Sequence, residues 1–456
     1  VGRRAALERA LREAIGTGLL TAGTRLPATR TLAAQLRLAR GTVSAAYDQL
    51  AAEGYVRART GAGTVVAELP AGRPGGATPA AAAGPPAPPR YDLRPGLPDV
   101  TTFPVAAWLR STRRALAAAP AQAYGHGDPC GRPELRTALA GYLGRVRGVR
   151  AEPDRIVVTS GYVQALNLLV AVLGAGAVFA MEDPGMPFHR DVVRRAGGLV
   201  VPLPVDADGA RTDLLGSPGY PPVAAAVLTP AHQYPTGAVL HPARRGALAD
   251  WARTGGGLVV EDDYDGEFRY DRQPVGAVQG TAPDHVAYVG TAAKTLSPAL
   301  RLAWLVLPRR LVAPVAQAKR YADLHTPVIE QLALADLIDG HGYDRHVRAC
   351  RLRYRRRRDR LVQRLGPGAG HRYGLDGIAA GLHALVRLPG TGAGEAELIA
   401  RAAALGLAIE GLGEHWHTPG THRAALIVGY GTPTEARYPG ALDALARVLA
   451  GAGGTG

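Results

Sequence analysis

Between Pro70 and Arg90 the chain reads PAGRPGGATPAAAAGPPAPPR, with no apolar period anywhere in the run. Proline withholds backbone donors and glycine raises the entropic cost of ordering, so the stretch suits a linker between bodies that fold separately. It divides the 456 residues into a first domain at 1–68, a linker at 69–90 and a second domain at 91–456. The second has a large part at about 91–310 and a small C-terminal part at about 311–456. Apolar residues make up 47% and charged residues 20%, globular values that exclude wholesale disorder. Every apolar run falls short of the roughly 18 residues a membrane helix requires, and no apolar leader core follows the first residues. The expectation is a cytoplasmic protein with no membrane partner. The two cysteines, Cys130 and Cys350, stand far apart, which gives neither a disulfide framework nor a paired metal motif; no metal site is expected.

In the first domain, Leu7, Leu11 and Ile15 recur at helical spacing, Leu32 and Leu36 mark a short second helix, and Val43, Tyr47 and Leu50 a third. Two short β-rich runs flank the tip Arg59-Thr60-Gly61-Ala62-Gly63, which reads as a hairpin. This is the order of a winged helix-turn-helix, whose second motif helix enters the major groove with its N-terminal residues on base edges. That helix opens Arg40-Gly41-Thr42-Val43-Ser44. Arg40 can fork onto guanine, and Thr42 and Ser44 are small donors that fit the groove floor. Arg30 opens the preceding helix, where it can meet the phosphate backbone. At the hairpin tip, Arg59, Gly61 and Gly63 allow close approach to DNA. Residues 1–68 hold ten arginines against five acids, a surplus that suits phosphate contact.

After the linker, short β-rich runs at 155–159, 178–181, 199–203, 224–229, 258–261, 286–289 and 302–307 alternate with helical stretches such as 162–173 and 242–253. That alternation predicts an α/β fold with a mostly parallel sheet, and such sheets place their sites at the carboxyl ends of strands. The formal net charge is +15, yet only two of the 53 basic residues are lysines, Lys294 and Lys319. Chemistry that needs an amine therefore has two candidates. Lys294 lies in a loop just after a strand; Lys319, in Gln317-Ala318-Lys319-Arg320, reads as solvated helix surface. Pyridoxal 5′-phosphate needs a lysine for a Schiff base, a carboxylate for its ring nitrogen and a phosphate cradle. Asp262, at the end of an apolar strand, supplies the carboxylate. Ser160-Gly161-Tyr162 sits at a strand-to-helix turn whose free N–H groups suit a phosphate, and Arg301 can close the anion site. The run from Arg345 to Arg360 holds nine arginines and reads either as a solvated helix or as a second DNA contact.

These motifs carry a resemblance. Arg25-Leu26-Pro27-Ala28-Thr29-Arg30 and Gly41-Thr42-Val43-Ser44-Ala45-Ala46-Tyr47 follow the GntR-type winged helix. Glu182-Asp183-Pro184-Gly185, His232-Gln233-Tyr234-Pro235-Thr236-Gly237, Glu261-Asp262-Asp263-Tyr264-Asp265 and the Lys294 loop resemble fold-type I aminotransferases. The full chain resembles the MocR subfamily of GntR regulators, which joins the two. The resemblance implies that Lys294 bonds the cofactor covalently, that Asp262 pairs with the ring nitrogen and that Tyr264 bonds the ring hydroxyl. It also implies that Ser160, Gly161, Tyr162, Thr291 and Arg301 surround the phosphate, that Tyr124 reaches the phosphate of a neighbouring subunit in a homodimer, and that Arg423 takes a ligand carboxylate. The chain departs from the family where Met186 replaces a frequent Tyr able to stack on the cofactor, and where Ala292 and Ala293 replace an aromatic and a Ser.

The implied function is a transcriptional regulator that binds a double-stranded operator and senses pyridoxal 5′-phosphate or a small amino compound, without efficient turnover. The alternative is a pyridoxal-phosphate-dependent aminotransferase with a secondary DNA-binding arm.

Overall fold

The computed structural model describes residues 2–59, 63–68, 88–255, 257–270, 275–365, 373–391, 393–418 and 420–450. The chain forms two compact units, Val1–Pro88 and Pro89–Gly456.

The first unit contains α1 (Arg3–Gly16), α2 (Thr29–Leu36), α3 (Arg40–Ala52) and the antiparallel pair β1 (Val56–Arg59) and β2 (Gly63–Val66). On α3, Val43, Ala46, Tyr47 and Leu50 are buried at i, i+3, i+4 and i+7, the stripe of a helix with one apolar face. The Tyr47 hydroxyl donates to the Pro27 carbonyl (2.9 Å), pinning α3 to the turn before α2. Between the two helices Arg37 adopts the left-handed conformation (φ 52°), which ends α2 and redirects the chain. Gly23, Leu26 and Val66 extend the hairpin by backbone bonds, with Gly23 N–H donating to Val66 O and Leu26 N–H to Thr64 O (both 2.9 Å).

The second unit is built on β3 (Ile156–Thr159), α4 (Tyr162–Leu173), β4 (Val178–Asp183), α5 (Pro187–Arg195), β5 (Leu199–Asp206), β6 (Gly209–Ala210), β7 (Ala225–Leu228), β8 (Leu258–Asp262), β9 (Val286–Thr291), β10 (Ala303–Val306), α6 (Arg309–Asp323) and α7 (Gly342–Leu365). The strands form one sheet in the order β3-β10-β9-β8-β7-β4-β5-β6. The run β9-β8-β7-β4-β5 is parallel throughout; β10 opposes both its neighbours and β6 opposes β5. The sheet is mixed but mostly parallel, and β3, β7 and β8 are buried along their whole length, as expected of strands covered on both faces. A second, antiparallel sheet joins Gly374–Asp376, His383–Thr391, Arg423–Gly429 and Glu410–Gly411. Tyr91–Asp92 pairs with Leu407–Ala408, and Leu93 is buried in the C-terminal core, so the first residues after the linker pack with the small part rather than the large one. Among the described residues, no helix is long and apolar enough to cross a membrane.

Two readings of basic residues need correction. Lys319 is not solvated: its side chain is 0% exposed, on the same face of α6 as Val315 and packed toward α4. Nor is the arginine run uniformly solvated. Arg345, Arg348, Arg355, Arg356 and Arg360 are exposed, but Arg357 points inward from α7. Arg357 and Asp99 are 0% and 2% exposed, with Nη2 donating to Asp99 Oδ2 (2.7 Å), and Nη1 reaches the carbonyls of Tyr430 and Gly431. This pair fixes the segment ahead of Asp99, which includes Gly96 at the cavity described below. Removing one partner of a buried pair strands the other charge, so Arg357→Met is expected to lower the unfolding free energy by about 3–5 kcal/mol. Denaturant titration checks this, and an unchanged midpoint would show that Asp99 finds another partner.

Candidate functional site

The carboxyl ends of β8 and β9 and the N-terminal ends of α4 and α5 surround a cavity of about 280 Å³. Its lining includes Gly161, Tyr162, Asp262, Tyr264, Thr291, Lys294 and Arg301. Seven residues named from the sequence thus converge from three separate stretches, 161–162, 262–264 and 291–301.

Lys294 is half-buried, and its Nζ donates to the Gly96 carbonyl. Burial pushes its amine below the usual lysine range, against the opposing pull of Asp262 and Asp265. A lowered pKa raises the share of neutral amine, the form that attacks a carbonyl carbon. Asp262 ends β8 and is buried; desolvation, reinforced by Asp263, pushes its carboxyl well above the usual range, and Lys294 pulls it the other way. A buried carboxyl in that condition gains most from a cationic N–H placed against it. The Tyr264 hydroxyl donates to the His232 carbonyl and lies equally close to His232 Nδ1 (3.2 Å each), while Asp265 Oδ2 lies 2.8 Å from that nitrogen.

The anion end is built from backbone. Gly161 precedes α4 with φ 119° and ψ 168°, a conformation suited to glycine. A Cβ there would stand 2.7 Å from Arg301 Nη2, so the guanidinium lies directly over the start of the helix. Arg301, itself left-handed (φ 53°), makes no ion pair with any described residue. Thr291 Oγ1 accepts from Ala293 N–H (3.1 Å) and donates to the Leu302 carbonyl, tying the Lys294 loop to the strand that follows it. A helix N-terminus with an unpaired arginine above it is a donor set for a phosphate. These residues fit pyridoxal 5′-phosphate: an amine, a buried acid, a phenol and an anion cradle line one cavity, and the cradle closes only because residue 161 has no side chain.

Three named residues stand apart. Ser160 is absent from the lining; its N–H donates to Gln164 Oε1 (2.8 Å) and its hydroxyl turns to Asp323 (3.4 Å). Tyr124 is 56% exposed, with its hydroxyl donating to the Leu116 carbonyl (3.1 Å). Arg423 is exposed at the first position of its strand, ahead of the buried Ala424 and Ala425, and does not line the cavity.

Residues 96–375 match the family aminotransferase class I and II, and residues 3–66 match the bacterial regulatory proteins, gntR family. The chain is 31% identical over 426 residues to the HTH-type pyridoxine biosynthesis transcriptional regulator PdxR of Corynebacterium glutamicum, covering 93% of this chain and 91% of that one. It is 34% identical over 371 residues to the probable rhizopine catabolism regulatory protein MocR of Rhizobium meliloti, covering 77% and 75%. The chain belongs to the MocR subfamily of GntR-type transcriptional regulators. Its fold is also that of the Pyrococcus horikoshii kynurenine aminotransferase, with a TM-score of 0.71 and 24% identity over 79% of this chain and 91% of that one.

In this MocR-type chain the cavity includes residues that the sequence did not single out. His189, on α5, packs its ring 4.4 Å from that of Tyr162, and burial lowers its pKa to about 3. His383 reaches in from the second sheet. Glu182 accepts from the Thr229 hydroxyl (2.5 Å), and burial raises its pKa to about 7. Arg190 is 5% exposed; its Nη1 donates to the carbonyls of Gly185 and His415 (3.1 and 2.9 Å), and it has no acid partner among the described residues. No local pattern marks His189 or His383, because each depends on a neighbour far away in the chain. Met186, half-buried, and Ala293 both line the cavity.

In the first unit, Arg30, Arg40, Arg59 and Gly63 are exposed and Thr42 and Ser44 half-buried, while Gly61 lies outside the described residues. The Arg25 guanidinium passes 3.6 Å from the position of a Cβ on Gly63, adding a basic residue at the hairpin that the sequence reading did not assign to DNA contact.

Proposed function

We propose that this regulator holds pyridoxal 5′-phosphate in the cavity around Lys294, and that the cofactor itself or a small amino compound entering that cavity is its effector. The observation that carries the reading is the convergence of a deprotonation-prone Lys294, the buried Asp262, Tyr264 and the Gly161–Arg301 cradle on one volume. Pyridoxal 5′-phosphate supplies an aldehyde carbon that amines attack and a ring that withdraws electrons. Lys294 would present the amine, Asp262 would pair with the ring nitrogen and Tyr264 with the ring hydroxyl. Gly161, Tyr162, Thr291 and Arg301 would hold the phosphate. The relative from Corynebacterium glutamicum is named for pyridoxine biosynthesis, which agrees with an effector of this class.

An effector carboxylate falls to Arg190 rather than Arg423. Arg190 is buried, lines the cavity and makes no direct ion pair among the described residues, with Asp183 acting on it from farther off, whereas Arg423 is exposed outside it. A buried guanidinium with no acid in direct contact gains from a carboxylate. The protein works in the cytoplasm as a homodimer, with the exposed Tyr124 serving the cavity of the other subunit. Its winged helix binds a double-stranded operator through Arg30, Arg40, Thr42, Ser44, Arg59, Gly61 and Gly63.

Sensing needs only access for an amine, but full transamination needs the reacting bond held rigidly over the ring. Met186 offers a flexible chain in place of a flat aromatic, and Ala293 removes a hydroxyl from the cradle. Candidate amines are therefore expected to change the visible spectrum of the purified protein and its operator affinity, with little keto acid formed. Steady-state turnover of about 1 s⁻¹ or faster with a common amino donor would favour the enzyme reading instead.

A further inference from the structure

Lys319, the second of the two lysines, is buried behind the phosphate cradle, and the proposed cofactor chemistry does not use it. Its ammonium donates to both oxygens of Asp323, one helical turn on (2.7 and 2.9 Å), and to Gln164 Oε1 (3.2 Å). Gln164 Oε1 also accepts the Ser160 N–H (2.8 Å), while Gln164 Nε2 donates to Asp323 Oδ2 (2.7 Å). The Ser160 hydroxyl faces the same Asp323 oxygen at 3.4 Å. Four side chains from α4, α6 and the turn before α4 thus form one closed network. Ser160 is the member that adjoins Gly161, over which Arg301 sits.

A carboxylate so close to an anion site is a liability, because like charges at short range oppose binding. Asp323, its side chain 27% exposed, is countered there by the Lys319 amine. Burial pushes the Lys319 amine down and Asp323 pulls it back up, so the contact opposes the loss of charge on Lys319. The network also orients Gln164, whose oxygen fixes the Ser160 backbone at the entrance to the cradle.

We propose that Lys319 is a positioning residue for the cofactor phosphate: it screens Asp323 and, through Gln164, sets the Ser160–Gly161 turn on which a phosphate rests. This rests on the reading of the cavity as a pyridoxal 5′-phosphate site and adds a determinant of its selectivity for the phosphorylated form. Lys294 and Lys319 then divide the labour, one presenting an amine to the ligand and the other shaping the field around its anion.

The test is titration of the full-length protein, stripped of cofactor, with pyridoxal 5′-phosphate and separately with pyridoxal, which has the same aldehyde and ring but no phosphate. Lys319→Met is expected to weaken pyridoxal 5′-phosphate binding about tenfold or more, the scale of losing a charge-assisted contact, and to leave pyridoxal binding within about twofold. Lys319→Met with Asp323→Asn, which removes both charges, is expected to recover most of the loss and keeps the test sound if the single variant folds poorly. Equal weakening for both ligands would show a merely structural role and overturn the proposal, as would no weakening for either. If the wild-type protein binds neither ligand, the cofactor reading itself fails, an outcome distinct from the other two.

Discussion

Lys294→Ala is expected to abolish covalent attachment of pyridoxal 5′-phosphate: borohydride leaves no pyridoxyl mass on the protein, and the visible band of the linked form disappears. Only two primary side-chain amines exist, and their settings differ. Lys294 opens on the cavity with its amine lowered by burial, while Lys319 is clamped by Asp323 and Gln164 outside the cavity lining. An amine that opens on the cavity can reach an aldehyde; one held in three hydrogen bonds outside it cannot. Non-covalent binding is expected to persist, because Asp262, Tyr264, Gly161 and Arg301 remain. Peptide mapping of the reduced protein decides the matter, and a label found on Lys319 in the variant would reverse the assignment.

Removing Arg30 and Arg40 together is expected to weaken operator binding in two separable ways. Both are exposed at the starts of α2 and α3, where a winged helix meets DNA. If Arg40 reads a base, its loss costs about 1–3 kcal/mol and relaxes sequence preference at one position. If Arg30 grips a phosphate, its loss weakens all sequences alike and lowers the salt dependence by about one counterion. Gel shifts at several salt concentrations, with operator and scrambled DNA, separate the two. Unchanged affinity in the double variant would place the DNA contact elsewhere.

Much of the cavity lining was legible because the motifs that carry it are local. Gly161 was readable as part of a turn, Asp262 as an acid ending an apolar strand, and Lys294 by elimination among two lysines. Their meeting in one cavity follows from the parallel sheet, which sends β8 and β9 to end on the same side. Arg423 was misleading for a physical reason: its place at a strand start looked right, but the strand enters the core one residue later, leaving the arginine outside. Ser160 was close to correct in position, yet its donors turn toward Gln164 and Asp323.

By itself the sequence marked where the chain divides, since residues 70–90 carry no apolar period while those on either side do. It also determined the identity of both bodies, since capping turns, apolar periods and signature loops act within a few residues. Only the tertiary structure decided which polar side chains are buried and with what. Lys319 and Arg357 sit in runs that look solvated, but helix packing turns one toward Gln164 and the other toward Asp99, 258 residues away. Arg190, His189 and His383 join the cavity in the same manner. Burying a charge is favourable only when a partner arrives from elsewhere in the chain, and periodicity along one helix carries no record of that partner.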